Sequence, residues 1–191
     1  MRGSTASTRE VLLGAETIQL TGVMPQPGDR LTATFRVPAA RHARSPLTGA
    51  TLRDGPVLVS TLPNIGRNAC IRQIVGLEEA ANRLFPDARL FHVSSDAPHF
   101  WNEVDEYHGD MEAPGYTLHG ATPRSRRSFC DAFGVGVVNH HRIAHGLFAL
   151  LDGVFLAAEI PKNQMLSPEI TGFVTQVRRA LADKPSARLV K

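Results

Sequence analysis

The stretch Leu62-Pro63-Asn64-Ile65-Gly66-Arg67-Asn68-Ala69-Cys70-Ile71-Arg72 joins two different periodicities. Before it, Val57 to Leu62 is a compact apolar run bounded by Gly55-Pro56 and Pro63, the pattern of a central buried strand. After it, Ile71, Ile74, Val75, Ala81 and Leu84 recur at helical spacing until Pro86-Asp87 ends the pattern. Cys70 therefore stands where a buried strand hands over to a helix. Unpaired amides and the positive end of the helix dipole favour thiolate there, and Arg67 or Arg72 adds charge; such settings lower a cysteine pKa from ~8.5 to ~3.5–7.5. The same residue also reads as a small apolar core side chain, because free cysteine is commonly buried. Local sequence leaves both readings open.

Downstream, strands and helices alternate as in an α/β layer structure. Arg89–Val93 is the next strand, and a helix is expected from Ser95, Asp96 or Ala97 through Val104, with Asp96 as its cap and Pro98 in its first turn. Tyr116–Gly120 fits a short strand, followed by a helix from about Ser125 to Phe133 that stops at Gly134. Leu147–Leu151, the turn Asp152-Gly153 and Val154–Glu159 give the strongest hairpin signal. A last helix runs from Ser167 through Leu181, with Ile170, Phe173, Val174, Val177 and Leu181 on one face. Upstream, Val11 to Thr21 reads as an N-terminal hairpin, Leu31 to Val37 alternates as a strand should, and the polar stretch to Arg53 reads mostly as loop. This order fits an α/β, thioredoxin-like layout with a central mixed sheet, flanking helices and an N-terminal β-hairpin, and periodicity alone fits several other α/β or α+β arrangements as well. With no repeat and no long linker, residues 1–191 are expected to form one domain.

The bulk composition is unremarkable: 42% hydrophobic residues suffice for one core, and the formal charge of +3 is too small and scattered to predict a nucleic-acid or membrane surface. Arg124, Arg126 and Arg127 form the densest basic stretch and read as a solvated helix start. MRGSTASTRE lacks the apolar core of a secretory signal and no segment approaches the ~18 apolar residues of a membrane span, so a cytoplasmic protein is expected. Two cysteines do not make a disulfide scaffold.

From Thr8 to Leu181 the chain resembles the thiol peroxidase subgroup of the peroxiredoxins. The matching pieces are the N-terminal hairpin with Met24-Pro-Gln-Pro-Gly28, Pro63 seven positions before Cys70, Val93-Ser-Ser-Asp-Ala-Pro98, Phe129-Cys-Asp-Ala-Phe-Gly-Val135 and the Leu150-Leu-Asp152-Gly153 hairpin. The resemblance implies that a Cys70 thiolate attacks a peroxide and becomes a sulfenic acid, which a thiol such as that of thioredoxin resolves, while Pro63 shields the sulfur. It also implies a homodimer.

Departures from the family pattern fall at functional positions. Arg67 stands where the family has a threonine, and an arginine donates but does not accept. The family's late arginine has Arg142 and His145 as nearest counterparts; one arrangement reverses the roles, with Arg67 supplying the guanidinium and His145 accepting a hydrogen bond. Asp105 occupies the position of the subgroup's resolving cysteine, leaving Cys130 as the candidate resolving thiol, against its reading as core.

Other constellations are weaker. His140, His141 and His145 invite a metal reading, but a spacing of four aligns His141 with His145 only on a helix, and the segment reads as a loop entering a strand; no metal is expected. Glu103, Asp105, Glu106 and Asp110 read as a solvated acidic face. Trp101 and Tyr107 beside them are candidates for a substrate opening or a dimer contact, with packing as the default; Trp101 and Arg142 are taken as substrate-pocket residues. Gly134-Val-Gly136 lacks the strand-to-helix order of a dinucleotide fingerprint, so no cofactor is expected. The expected function is a thiol-dependent peroxidase. Its rivals are the same scaffold diverted to a biosynthetic reaction on a small organic substrate, and a non-enzymatic redox sensor.

Overall fold

The structure, a computed structural model, describes residues 9–183 apart from 14, 109, 110 and 164. The reading of Asp110 and most of the N-terminal decapeptide lie outside these residues.

An antiparallel hairpin of β1 (Arg9–Leu13) and β2 (Glu16–Thr21) comes first, as its alternation predicts. Leu31, Phe35 and Val37 then turn inward while their neighbours face out, yet only β3 (Arg36–Val37) forms a ladder, with Leu47–Thr48. Leu31 is instead pinned through its N–H to the Gly153 carbonyl. The alternation between Leu31 and Val37 thus reports burial of side chains, whereas a strand also needs a partner for its backbone. The stretch expected as loop contains β4 (Ala39–Arg41), β5 (Leu47–Thr48) and the short helix α1 (Gly49–Leu52), whose first turn is capped by the Thr48 hydroxyl.

The central order follows the sequence reading closely: β6 (Pro56–Leu62), α2 (Asn68–Leu84) and β7 (Arg89–Ser94). Helix α3 (Phe100–Tyr107) begins later than expected, and Asp96 does not cap it. Then come β8 (Gly115–Thr117), α4 (Pro123–Phe133), β9 (Gly136–Val137), β10 (Gly146–Leu151), β11 (Val154–Glu159) and α5 (Ser167–Ala182). Gly134 ends α4 at φ 62°, a left-handed cap that glycine adopts without steric penalty.

The main sheet has six strands in the order β11-β10-β6-β7-β8-β4, parallel across β6-β7-β8 and antiparallel at both ends; β9 pairs with the N-terminal hairpin in a separate sheet. Alternation along β6 divides the core. Val57 and Val59 face α4, whose Phe133 packs against Phe35, Phe129, Phe148 and Phe155 with centroids 4.7–6.4 Å apart. Each such aromatic pair adds about 0.5–1.5 kcal/mol beyond area burial. Leu58 faces the other way, onto Leu77 and Ala81 of α2 and Phe173 and Val177 of α5. A third cluster at the carboxyl end of β6 holds Leu62, Ile65, Cys70, Ile74, Trp101 and Val104. No helix among the described residues is long and apolar enough to cross a membrane.

Candidate active site

Strand β6 ends at Leu62, and the loop 63–67 folds back over the first turn of α2. The Arg67 N–H donates to the Asn64 carbonyl at 3.1 Å, the Gly66 N–H to Asn64 Oδ1 at 3.1 Å, and the Cys70 N–H to the Arg67 carbonyl at 3.0 Å. The end of β7 fixes this loop from below. Ser95 Oγ donates to the Pro63 carbonyl at 3.0 Å, and the Asp96 carboxylate accepts the Ile65 N–H at 2.7 Å. The Ser-Ser-Asp segment read as a helix cap therefore serves the loop in front of the cysteine. Its carboxylate finds a donor 31 residues away instead of at α3.

Cys70 is only 1% exposed. Burial pushes its thiol up to about 12, against the lowering influence of the Asn64 backbone and the Arg67 and Arg142 guanidiniums, while the Asp96 carboxylate adds to the rise. This corrects the expectation of a depressed pKa: a helix start and two arginines do not outweigh removal of the sulfur from water. In the closed site Cys70 is a thiol. Relative to its ordinary value of 9.0 the rise leaves about a thousandth of the thiolate at neutral pH, and higher basicity returns only one to one and a half decades of nucleophilicity. Iodoacetamide is expected to label Cys70 in the native protein about thirtyfold or more slowly than in urea, read by peptide mass spectrometry. Equal rates would show that the sulfur is open.

His145 lies just before β10, 9% exposed, with Nδ1 2.6 Å from Gln73 Oε1. The Gln73 amide nitrogen donates to Ser60 Oγ and to the Thr61 and Gly146 carbonyls at 2.8–3.2 Å, so its oxygen must face the imidazole. An amide oxygen only accepts. The proton is therefore on Nδ1, and Nε2 of the neutral ring keeps its lone pair; burial lowers the His145 pKa to about 4, which holds the ring neutral. Gln73 escaped the sequence reading. Its signal was there: Cys70, Gln73, Ile74, Leu77, Glu78 and Ala81 form the buried stripe of α2, and Gln73 and Glu78 are its polar members.

Arg67, exposed, and Arg142, half-buried, line a cavity of about 350 Å³ with His140, Val137, Ala15, Glu16 and Ile18. His140 Nδ1 accepts the Arg142 N–H at 3.0 Å. Two expected site residues lie elsewhere. Trp101 is fully buried in the cluster around Leu62 and Cys70 and stacks 6.0 Å from the Arg41 guanidinium, so it lines no substrate opening. Cys130 is buried against the α4 face of the sheet, with burial pushing its thiol up to about 11. Cys70 belongs to the α2 face, and both thiols are free. Arg126 of the basic stretch is half-buried, its Nη1 donating to the Leu118 carbonyl at 3.1 Å, while Arg124 and Arg127 border an open groove. Among the described residues no three His, Cys, Asp or Glu side chains converge as metal ligands.

No family model matches the sequence, and no curated protein matches it. Solved structures do. A thiol peroxidase from Chromobacterium violaceum superposes with a TM-score of 0.73 at 15% identity, covering 92% of this chain and 98% of its own. The fold is that of the peroxiredoxins. A peroxiredoxin-like protein from Aquifex aeolicus gives 0.68 at 15% identity over 90% of this chain and 97% of its own, and peroxidoxin BcpB from Mycobacterium tuberculosis gives 0.62 at 17% over 81% and 97%. At such identity the likeness carries the peroxiredoxin scaffold, with its mixed sheet and flanking helices, and not the reaction.

Proposed function

We propose that the chain is a thiol-dependent peroxidase with Cys70 as nucleophile. The observation that carries this reading is the placement of Cys70 in the first turn of α2, beneath the Pro63 loop and within the field of both Arg67 and Arg142. Burial is the largest influence raising the thiol pKa, and it vanishes when the loop 63–67 lifts. The two guanidiniums then remain beside a hydrated sulfur and favour thiolate. The thiolate attacks the nearer peroxide oxygen, the O–O bond breaks, and the alkoxide takes up the proton the thiol gave, leaving Cys70 as sulfenic acid and the peroxide as alcohol or water. An external thiol condenses with the sulfenic acid, releasing water, and a second thiol displaces the first as a disulfide. Arg67 or Arg142 polarises the peroxide, and His145 accepts a hydrogen bond through its unprotonated Nε2. Cys130 is held on the opposite face of the sheet, which favours an external reductant such as thioredoxin. The resemblance in sequence supports a single-domain homodimer working in a reducing cytoplasm.

The test is intact-protein mass spectrometry after stoichiometric peroxide, with Cys70→Ser and Cys130→Ser beside it. Oxidation at Cys70 faster than that of glutathione is expected, unaffected by Cys130→Ser. Oxidation no faster than glutathione would sink the reading. It would favour the diverted scaffold, a biosynthetic reaction on an organic substrate, to which the burial of the thiol and the replacement of threonine by Arg67 already lend support.

A further inference from the structure

The loop 63–67 that covers Cys70 is tied down by groups outside it. Its Pro63 and Ile65 are buried, while Gly66 and Arg67 are exposed. Ile65 packs with Leu62, Cys70, Ile74 and Trp101, and its N–H donates to Asp96 Oδ2 at 2.7 Å. The anchor is itself held. Ser94 Oγ donates to the same carboxylate oxygen and accepts the Asp96 N–H, both at 2.9 Å; the Thr117 hydroxyl donates to the Asp96 carbonyl, and the Leu118 N–H to the Ser94 carbonyl at 2.8 Å. These groups stand at the ends of β7 and β8, interior strands of the six-stranded sheet, so the loop is the part that can move. A buried N–H without an acceptor is costly, and a charged acceptor makes the stronger class of hydrogen bond. The Asp96–Ile65 bond therefore breaks only as Ile65 leaves its cluster and its N–H meets water, which uncovers the sulfur packed in the same cluster. The carboxylate acts on the sulfur in a second way. Burial is the main reason the Cys70 thiol keeps its proton, and the Asp96 charge adds to it, so closing the loop and holding the proton go together.

We infer that Asp96 is the positioning residue that latches the loop 63–67 shut over Cys70, so that release of the Ile65 N–H from its carboxylate is the step that admits reagents to the sulfur. Ser95 Oγ, on the Pro63 carbonyl at 3.0 Å, is the weaker second tie. The inference rests on the peroxidase reading only for the use to which the opened sulfur is put; the latch stands on the loop and its anchor.

The test is iodoacetamide labelling of Cys70 and Cys130 in the full chain under native conditions, read by peptide mass spectrometry. Reagent reaches a buried thiol through opened states, so the labelling rate follows their population. Asp96→Ala is expected to label at Cys70 about tenfold or more faster than the parent, each tenfold being a step of ~1.4 kcal/mol, with the Cys130 rate unchanged. Cys130 sits on the other face of the sheet, so general loosening exposes both thiols and release of the loop exposes one. Asp96→Asn is the conservative variant. Both donors reach a single carboxylate oxygen, which an amide oxygen can replace, so its Cys70 rate is expected to lie closer to the parent's than to that of Asp96→Ala. A Cys70 rate that Asp96→Ala leaves unchanged, a rise shared equally by Cys130, or Asn and Ala variants that label alike would overturn the latch. Stoichiometric peroxide separates the two readings. Should it oxidise Cys70 no faster than glutathione in parent and variants while labelling still follows Asp96, the peroxidase reading fails and the latch remains.

Discussion

Arg41→Met is expected to cost the protein about 3–5 kcal/mol, the range for removing one partner of a buried charge pair. Arg41 is 3% exposed at the edge strand β4. Its Nε donates to Asp105 at 2.6 Å, Nη1 donates to the Ala113 carbonyl at 3.2 Å and lies 3.7 Å from Glu78, and Nη2 donates to the Met111 carbonyl. One guanidinium thus ties β4, α2, α3 and the loop before β8. Burial raises the Glu78 pKa, but His92, the Glu112 N–H and Arg41 outweigh it and hold the carboxyl below its ordinary range, so it is charged at neutral pH. Without Arg41, Glu78 would keep only the Glu112 N–H at 3.0 Å and the neutral, fully buried His92 at 3.4 Å, longer than a normal hydrogen bond. With a urea m-value of ~2 kcal/mol/M, the midpoint should fall by about 1.5–2.5 M. The double variant Arg41→Met/Glu78→Met removes the stranded charge, and should regain much of the loss, because apolar replacement of a whole buried pair is often neutral. A single-variant cost below about 1 kcal/mol, or a double variant no better than the single, would show that the pair is idle. Asp105 takes part in this clamp at the position where the sequence resemblance implies a resolving cysteine; Arg41 holds α3 in place there.

The elements legible in sequence are those whose pattern is local. The hairpin from Gly146 to Glu159 carries its own Asp152-Gly153 turn, and α2 carries a periodic stripe closed by Pro86. What sequence did not yield depends on partners distant along the chain. Asp96 has the spacing of a cap but bonds to Ile65; Leu31 to Val37 alternates, but only Arg36–Val37 has a facing strand. The site divides in the same way. Cys70 was singled out from the strand-to-helix junction and Pro63 from the resemblance, while Gln73, Glu78 and Arg41 look like ordinary helix or edge residues until their buried partners on other strands are seen. The thiol pKa failed for a related reason. Dipole and arginine charge can be read from neighbours in sequence, but desolvation comes from Leu62, Ile65 and Trp101 closing over the sulfur.

That same desolvation gives His145 a measurable pH signature. Burial lowers its pKa to about 4 from 6.5, so between these values the unfolded chain binds a proton that the folded protein refuses. The stability tied to the neutral ring is therefore complete above pH 6.5 and is lost as pH falls towards 4. The shift of two and a half units amounts to about 3 kcal/mol, of which about 2 is gone by pH 5. His92 is held neutral by burial and by repulsion from Arg41, and it adds a loss below 6.5 of the same sign; Glu78, held below 4.5, adds its own only at lower pH. His145→Asn isolates the first contribution. Its amide can still donate to Gln73 Oε1 but does not titrate, so Ser60, Thr61 and Gly146 keep their glutamine partner. Urea midpoints between pH 7.5 and 4.5 should fall clearly less steeply in the variant than in the parent. Parallel slopes would mean that His145 takes up its proton in the folded state, and with it the argument for an unprotonated Nε2 would fall.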